Sequence, residues 1–182
     1  MKFADRFRYL LSGVKNEGVD INGTRDLQNV SFKLKRQFDD FEEKEVKQFY
    51  DEFIGNYDTK LKSEIKHYNF LYAFMKHKIV ETLYFFPKND MTSRKFVIWS
   101  NDCISCVQFL HREGKNTLNV MMRSSDIIKL LPLDIYYMKK LLDEILDEHD
   151  IVKNPNDEVN FLVSSLHYYD DDLEIVKKIF NS

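Results

Sequence analysis

Apolar residues recur along this chain at two spacings. Phe3, Phe7, Leu10, Leu11 and Val14 fall on one helical stripe, which predicts an amphipathic helix over residues 2–15. Gly18 and Gly23 punctuate the stretch after it. Val30, Phe32 and Leu34 then alternate with Ser31, Lys33 and Lys35, the period of a half-buried strand. Residues 39–52 are charged but periodic, with Phe41, Val46, Phe49, Tyr50 and Phe53 giving a helix its apolar side. Residues 66–86 are apolar around much of a helical circumference and predict a central helix, broken by Pro87, Asn89 and Asp90. Strands are predicted over 95–101, 105–112 and 117–123, the last two joined by a hairpin at Gly114-Lys115. Ser124 or Ser125 caps the next turn, and Pro132 suits a helix start. Ile135, Met138, Leu141, Leu142 and Ile145 line one face of that helix, residues 159–168 read as a buried strand, and Asp170, Asp171 and Asp172 suit the positive end of a last helix. With no repeat, low-complexity tract or linker, the pattern predicts an α+β fold: one mixed or mainly antiparallel sheet with helices packed against it.

Composition narrows the function classes. A chain of 182 residues, 43% hydrophobic and 14% aromatic, can bury one ordinary core and is expected to form a single domain. The net charge of -3 leaves no electrostatic footprint for direct binding of duplex nucleic acid or a lipid surface. No stretch approaches the roughly 18 consecutive apolar residues of a membrane span, so a cytoplasmic protein is expected. Cys103 and Cys106 form a CxxC spacing, but a redox pair needs a helix N-terminus and zinc needs about four ligands. His67 and His77, ten residues apart on one helix, face different sides and make no metal pair.

The chemistry concentrates between Cys103 and Asp134. A hairpin at Gly114 brings Cys103 and Arg123, at the far ends of its two strands, close together: a nucleophile beside a cation. The ordered series Cys103, Gln108-Phe109, Gly114-Lys115, Arg123-Ser124-Ser125-Asp126 and Pro132-Leu133-Asp134, with Ser165-Leu166-His167-Tyr168-Tyr169 later, resembles the core of the thymidylate synthase superfamily. It is more similar to the pyrimidine-nucleotide hydroxymethylase branch than to thymidylate synthase itself. The resemblance covers roughly the second half of the chain, with weaker echoes at Asn29-Val30-Ser31-Phe32 and Ser93-Arg94-Lys95.

The resemblance implies a C5 hydroxymethyl- or methyltransferase acting on a pyrimidine nucleoside monophosphate, with 5,10-methylenetetrahydrofolate as donor and a back-to-back homodimer as the assembly. Cys103 is then the thiolate that adds to C6, and Arg123 and Ser124 hold the phosphate, with Gln108 also at the nucleotide. Arg94 with Lys95 resembles a cationic pair lent to the neighbouring subunit's phosphate, and Arg25 a displaced phosphate ligand. Asp126 resembles a residue that contacts the folate ring and a strand-end backbone, while His167 and Tyr169 resemble a sugar-binding pair. Glu52 is the candidate for a catalytic glutamate on an early helix, with Glu45 equal to it by context. Asp134 stands where the base is read: a carboxylate accepts from the N4 amine of cytosine, whereas an amide suits uracil, so a cytidine monophosphate is the expected substrate.

Other positions depart from the family pattern, chiefly on the folate side. Leu130 replaces a glycine, Met122 a glutamine and Ile104 a histidine, and the long lid segment has no counterpart after Tyr169. The alternative implied by these losses is a non-catalytic protein of the same fold that binds a nucleotide or a protein partner.

Overall fold

The computed structural model describes residues 3–36, 43–55, 59–85 and 93–182. Helix α1 (Phe3–Glu17) leads into strands β1 (Val19–Ile21) and β2 (Thr24–Lys35). Helix α2 (Glu43–Phe49) runs into a π-helical turn (Tyr50–Ile54), and helix α3 (Thr59–Phe85) comes next. Strands β3 (Val97–Trp99), β4 (Ile104–Arg112), β5 (Lys115–Met122) and β6 (Ser125–Asp126) precede helix α4 (Leu131–Glu148). Strand β7 (Glu158–Tyr169), a 3-10 turn (Asp170–Asp172) and helix α5 (Leu173–Asn181) complete the chain.

Among the described residues the strands form one sheet in the order β1-β2-β7-β5-β4-β3, with β6 beside β7. β7 runs parallel to β5 and β6 and antiparallel to β2, and the remaining ladders are antiparallel, so the sheet is mixed. The β4–β5 hairpin turns at Glu113 (φ 51) and Gly114 (φ 72), both left-handed, the two-residue turn whose twist matches its strands. The expected turn at Gly114-Lys115 is thus shifted by one residue. Gly18 ends α1 by donating its N–H to the Val14 carbonyl at 3.1 Å. A Cβ there would stand 2.4 Å from that same oxygen, so only glycine fits.

The helical side of the sheet carries Val107, Phe109, Leu118, Val120, Phe161 and Val163, all essentially sealed from solvent. Phe7, Leu11 and Val14 of α1 and the predicted stripe of α4 cover them. Burying each such side chain contributes roughly 1.5–3 kcal/mol. Helix α3 is not central, contrary to its sequence pattern. It packs on α4 through Tyr68, Leu71, Tyr72 and Met75, while Phe70 and Phe74 of the same helix are exposed. The expected strand over 95–101 shortens to Val97–Trp99, and the helix expected over 39–52 is observed from Glu43 and tightens into the π turn. Residues 39–42, 86 and the breakers Pro87, Asn89 and Asp90 lie outside the described residues.

The strand period is not constant along the sheet. In the half near the β4–β5 turn, strands alternate strictly, with Phe32, Val107, Val120 and Phe161 toward the helices and Ser31, Gln108, Asn119 and Asn160 away from them. At one level across the sheet this alternation changes phase in every long strand. The β4 ladder slips between Ile104 and Cys106, so Ser105 is extra. The β2–β7 ladder skips Asn29 opposite Ser164, with Asn29 at φ 55. Beside β7, β5 breaks at Arg123-Ser124 and resumes as β6 in unchanged register. Past the break, Ile104, Ser125, Asp126, Leu166 and Tyr168 are buried. The bulge in β4, aligned with matched breaks in the neighbouring ladders, bends the sheet and redirects the side chains beyond it.

Candidate active site

The bend gathers the start of β4 and the start of β6 under α3 and α4. The Arg123 N–H donates to the Cys103 carbonyl at 2.9 Å, so the juxtaposition expected from the hairpin is present as a backbone contact. The Ser124 hydroxyl lies 3.8 Å from Cys103 Sγ and donates to it. Cys103 is half-buried, Ser124 half-buried, and Arg123 exposed at the rim. A partly accessible sulfur, a hydroxyl donor and the backbone of an exposed arginine therefore meet at two adjoining strand ends.

Behind them lies a buried polar cluster that the chain's local pattern does not reveal. Asp134, in the first turn of α4, is 1% exposed. The Tyr68 hydroxyl, from α3, donates to its Oδ1 at 2.6 Å, and the Ser125 hydroxyl donates to its Oδ2 at 2.7 Å. Burial pushes the Asp134 carboxyl up to about 7, even though the Ser125 and Tyr68 hydrogen bonds pull it down. Burial likewise raises Tyr68 well above the ordinary phenol range, with the Asp134 charge and hydrogen bond next in weight and Cys103 also contributing. Tyr68 thus links the cysteine's surroundings to the carboxylate. Its neighbour His67 reaches the loop before the cysteine, with Nε2 3.4 Å from Asp102 Oδ1.

A second cluster forms where β6 meets β7. Asp126 pairs in register with His167 and is buried. Its Oδ1 accepts from the N–H groups of Ile128 and Lys129 at 2.9 and 3.0 Å, fixing the turn into α4. Burial raises the Asp126 carboxyl, with these backbone bonds and the Lys129 charge opposing it. Lys129 Nζ pairs at 2.8 Å with the buried Asp172 and lies 5.5 Å from the Tyr169 ring centroid. His167 meets Tyr169 edge to face at 5.4 Å and is 3.5 Å through Nδ1 from the Ser165 hydroxyl.

Four of the sequence candidates stand apart from this assembly. Gln108 points to the opposite face of the sheet, where its amide accepts from Asn119 at 3.4 Å, Asn119 accepts from Asn160 at 3.0 Å, and Gln108 donates to the Arg94 carbonyl at 3.1 Å. Arg94 is therefore tied by its backbone to that outward amide ladder. Glu52 is exposed on the π turn, where its carbonyl accepts from Lys178; Tyr50 of that turn is the inward residue, donating to the Lys129 carbonyl at 2.6 Å. Arg25 pairs with Asp20 at 3.0 Å beside the β1–β2 turn. Cys103 and Cys106 are both free thiols, and burial raises that of Cys106. No group of three or more metal-ligating side chains occurs among the described residues.

On the folate side the residues do not fit a folate ring. One oxygen of Asp126 is taken by two backbone donors, Leu130 packs a full side chain against the core, and the Lys129–Asp172 pair ties the turn to the chain after β7. Among the described residues no helix is long and apolar enough to cross a membrane.

Sequence comparison gives no help: no family model and no curated protein matches this chain. Structural comparison does. The thermostable thymidylate synthase A from Bacillus subtilis superposes with a TM-score of 0.64 at 12% identity, over 100% of this chain and 85% of that one. Identity that low carries the fold alone, and the fold is the α+β one with a single mixed sheet that the ordered residues from Cys103 to Tyr169 resemble. The chain has a thymidylate synthase-like fold, carried by a widely divergent sequence.

Proposed function

We propose that this protein binds a pyrimidine nucleoside monophosphate at the bent end of its sheet and acts as a C5 hydroxymethyltransferase, with a cytidine monophosphate as substrate. The observation that carries the reading is the meeting of Cys103, Arg123 and Ser124 at adjoining strand ends, directly in front of the buried Asp134 cluster. Arg123 and Ser124 are donors suited to the phosphate, and His167 and Tyr169 to the sugar. Asp134, held on both oxygens, keeps free lone pairs for one more donor, which is what the cytosine amine offers and uracil O4 does not.

In the step assigned to this chain, Cys103 Sγ forms a bond to C6 and the C5–C6 π electrons move to C5. C5 then acts as the carbon nucleophile: it takes up a proton from water, or adds to a one-carbon electrophile at the formaldehyde oxidation level, whose oxygen takes a proton to become the hydroxymethyl group. Loss of the original C5 hydrogen as a proton and expulsion of the thiolate restore the ring. A methylene carried by tetrahydrofolate would supply a carbon at the formaldehyde oxidation level, but the Asp126–Leu130–Asp172 region does not fit that group, and no step is assigned to it.

A second reading, a nucleotide-binding protein without turnover, is favoured by the exposed position of Glu52. The two readings share the nucleotide site and differ in chemistry. The site itself is tested by titrating dCMP, CMP and dUMP into the wild type and Asp134→Asn. The expected result is a preference for cytidylates that shifts toward dUMP in the variant. Equal affinity for all three in both proteins would remove Asp134 as the reader of the base.

The homodimer that accompanies this reading would use the part of the outward sheet face nearest the bend. There Trp99, Cys106, Met121 and Leu162 lie in one cross-strand row, with Trp99 71% exposed and Met121 and Leu162 about half so. Sedimentation of the wild type as a dimer and of Trp99→Glu as a monomer is expected.

A further inference from the structure

At the turn end of the same outward face, far from Cys103, the structure holds a cavity of about 440 Å³. Its lining is Lys33 and Lys35 of β2, Arg112 and Lys115 of the hairpin with Glu113 between them, Asn154 and Asn156 of the loop before β7, and Glu158. We propose that this cavity is a binding site for oligophosphates, the pyrophosphate or triphosphate part of a small molecule, taken up without reading any attached base.

Four lines of physical chemistry converge on that ligand. The lining contains no aromatic or aliphatic residue, so there is no ring to stack a nucleobase, and its apolar surface is the stems of the cations themselves. Its side chains comprise four cations and two carboxylates, a local excess of two positive charges on a chain whose net charge is -3. Glu158 is already neutralised, since its Oε1 pairs with Lys115 Nζ at 2.7 Å, and Glu113 is the other carboxylate of the lining. Cations spaced along two sheet elements suit several linked phosphates better than one point charge.

The walls are also preformed. Asn154 donates its side-chain amide to the Gly114 carbonyl at 3.2 Å, joining the loop to the hairpin. The Asp157 carboxylate accepts from the Asn116 N–H and side-chain amide at 2.8 and 3.0 Å, and from the Asn154 N–H at 2.8 Å. A ligand entering the cavity would not first have to order these segments, which lowers the entropic penalty of binding. The site is separate from the nucleotide site. Lys115 and Met121 are six positions apart on β5, about 20 Å at the usual strand rise, and Met121 itself lies at the level where the sheet bends.

The test is isothermal titration of the full chain at low salt with tripolyphosphate, ATP, CTP and adenosine, with amide chemical shifts mapped in parallel. Expected are saturable binding of tripolyphosphate, ATP and CTP with affinities within a few-fold of one another, no binding of adenosine, and shifts centred on residues 112–116 and 154–158. Lys33→Gln/Arg112→Gln should weaken tripolyphosphate at least tenfold and leave dCMP binding unchanged, whereas Arg123→Gln should leave tripolyphosphate unchanged. Shifts confined to the Cys103–Ser124 region, or loss of oligophosphate binding in Arg123→Gln alone, would overturn the proposal. So would a single-stranded oligonucleotide binding far more tightly than tripolyphosphate. Because the shift map uses the wild type, the proposal stays falsifiable even if the double variant fails to fold.

Discussion

The two halves of the central sheet are built from the same strands and do different work. Near the β4–β5 turn, Phe32 stacks on Phe161 at 4.8 Å and Phe109 pairs in register with Leu118, with side chains alternating strictly between core and surface. Beyond Asn29, Ser105, Arg123-Ser124 and Ser164 the alternation changes phase, and polar groups replace hydrocarbon beneath the helices: Ser125, Asp126 and Asp134 are all buried there. Regular pairing gives the first half its stability. The second half gives up ladder pairing at Asn29, Ser105, Arg123-Ser124 and Ser164 and some hydrophobic area, and in exchange places a thiol beside a hydroxyl, with a buried carboxylate bonded to the next residue, Ser125. The candidate site lies where the strand period breaks.

The largest effect expected from breaking this contrast is in the regular half. Phe161→Ala should lower unfolding free energy by about 3–5 kcal/mol in urea titration, because a fully packed aromatic leaves a cavity. Asp134 should act on stability through pH. Its folded carboxyl sits near 7, above the unfolded value, so the folded state holds the extra proton and stability falls as pH rises from about 4 to 7. The full swing is on the order of 4 kcal/mol, and Asp134→Asn should remove most of that slope in urea midpoints measured from pH 4 to 8. Asp126, raised by burial, adds a remaining slope of the same sign.

At the bend itself, Asn29→Val should cost about 1–2 kcal/mol, since a β-branched residue resists a left-handed φ. Asn29→Gly should be close to neutral. The smallest effect belongs to Ser124→Ala, which should change thermal stability by less than about 1 kcal/mol while altering the reactivity of Cys103 toward a thiol reagent.

The same contrast explains what could be read from the chain. Val30, Phe32 and Leu34, the α1 stripe and the α4 stripe all announced their elements, because a single period held over the whole segment. The phase change at Arg123-Ser124 is invisible to periodicity, since two unpaired residues look like noise in a short strand. The ordered motif singled out Cys103, Ser124 and Asp134 as candidates, but a motif's order does not state which face a strand residue uses. Gln108 is the instance: sitting beside the sealed Phe109, it points outward. Tyr68 escaped because its partner lies 66 residues away and nothing in its own helix marks it. Helix α3 read as central because apolar residues surround it, whereas Phe70 and Phe74 are left exposed on the side away from α4.

Thiolate addition is tested most directly by release of tritium from C5-labelled dCMP, CMP and dUMP, with the wild type and with Cys103→Ser, since release requires the sulfur to add to C6 whatever carbon donor acts afterwards. Cytidylate-selective release that disappears in the variant is expected. A folded wild type that binds dCMP but releases no tritium would contradict the proposed chemistry and leave a nucleotide-binding protein without turnover.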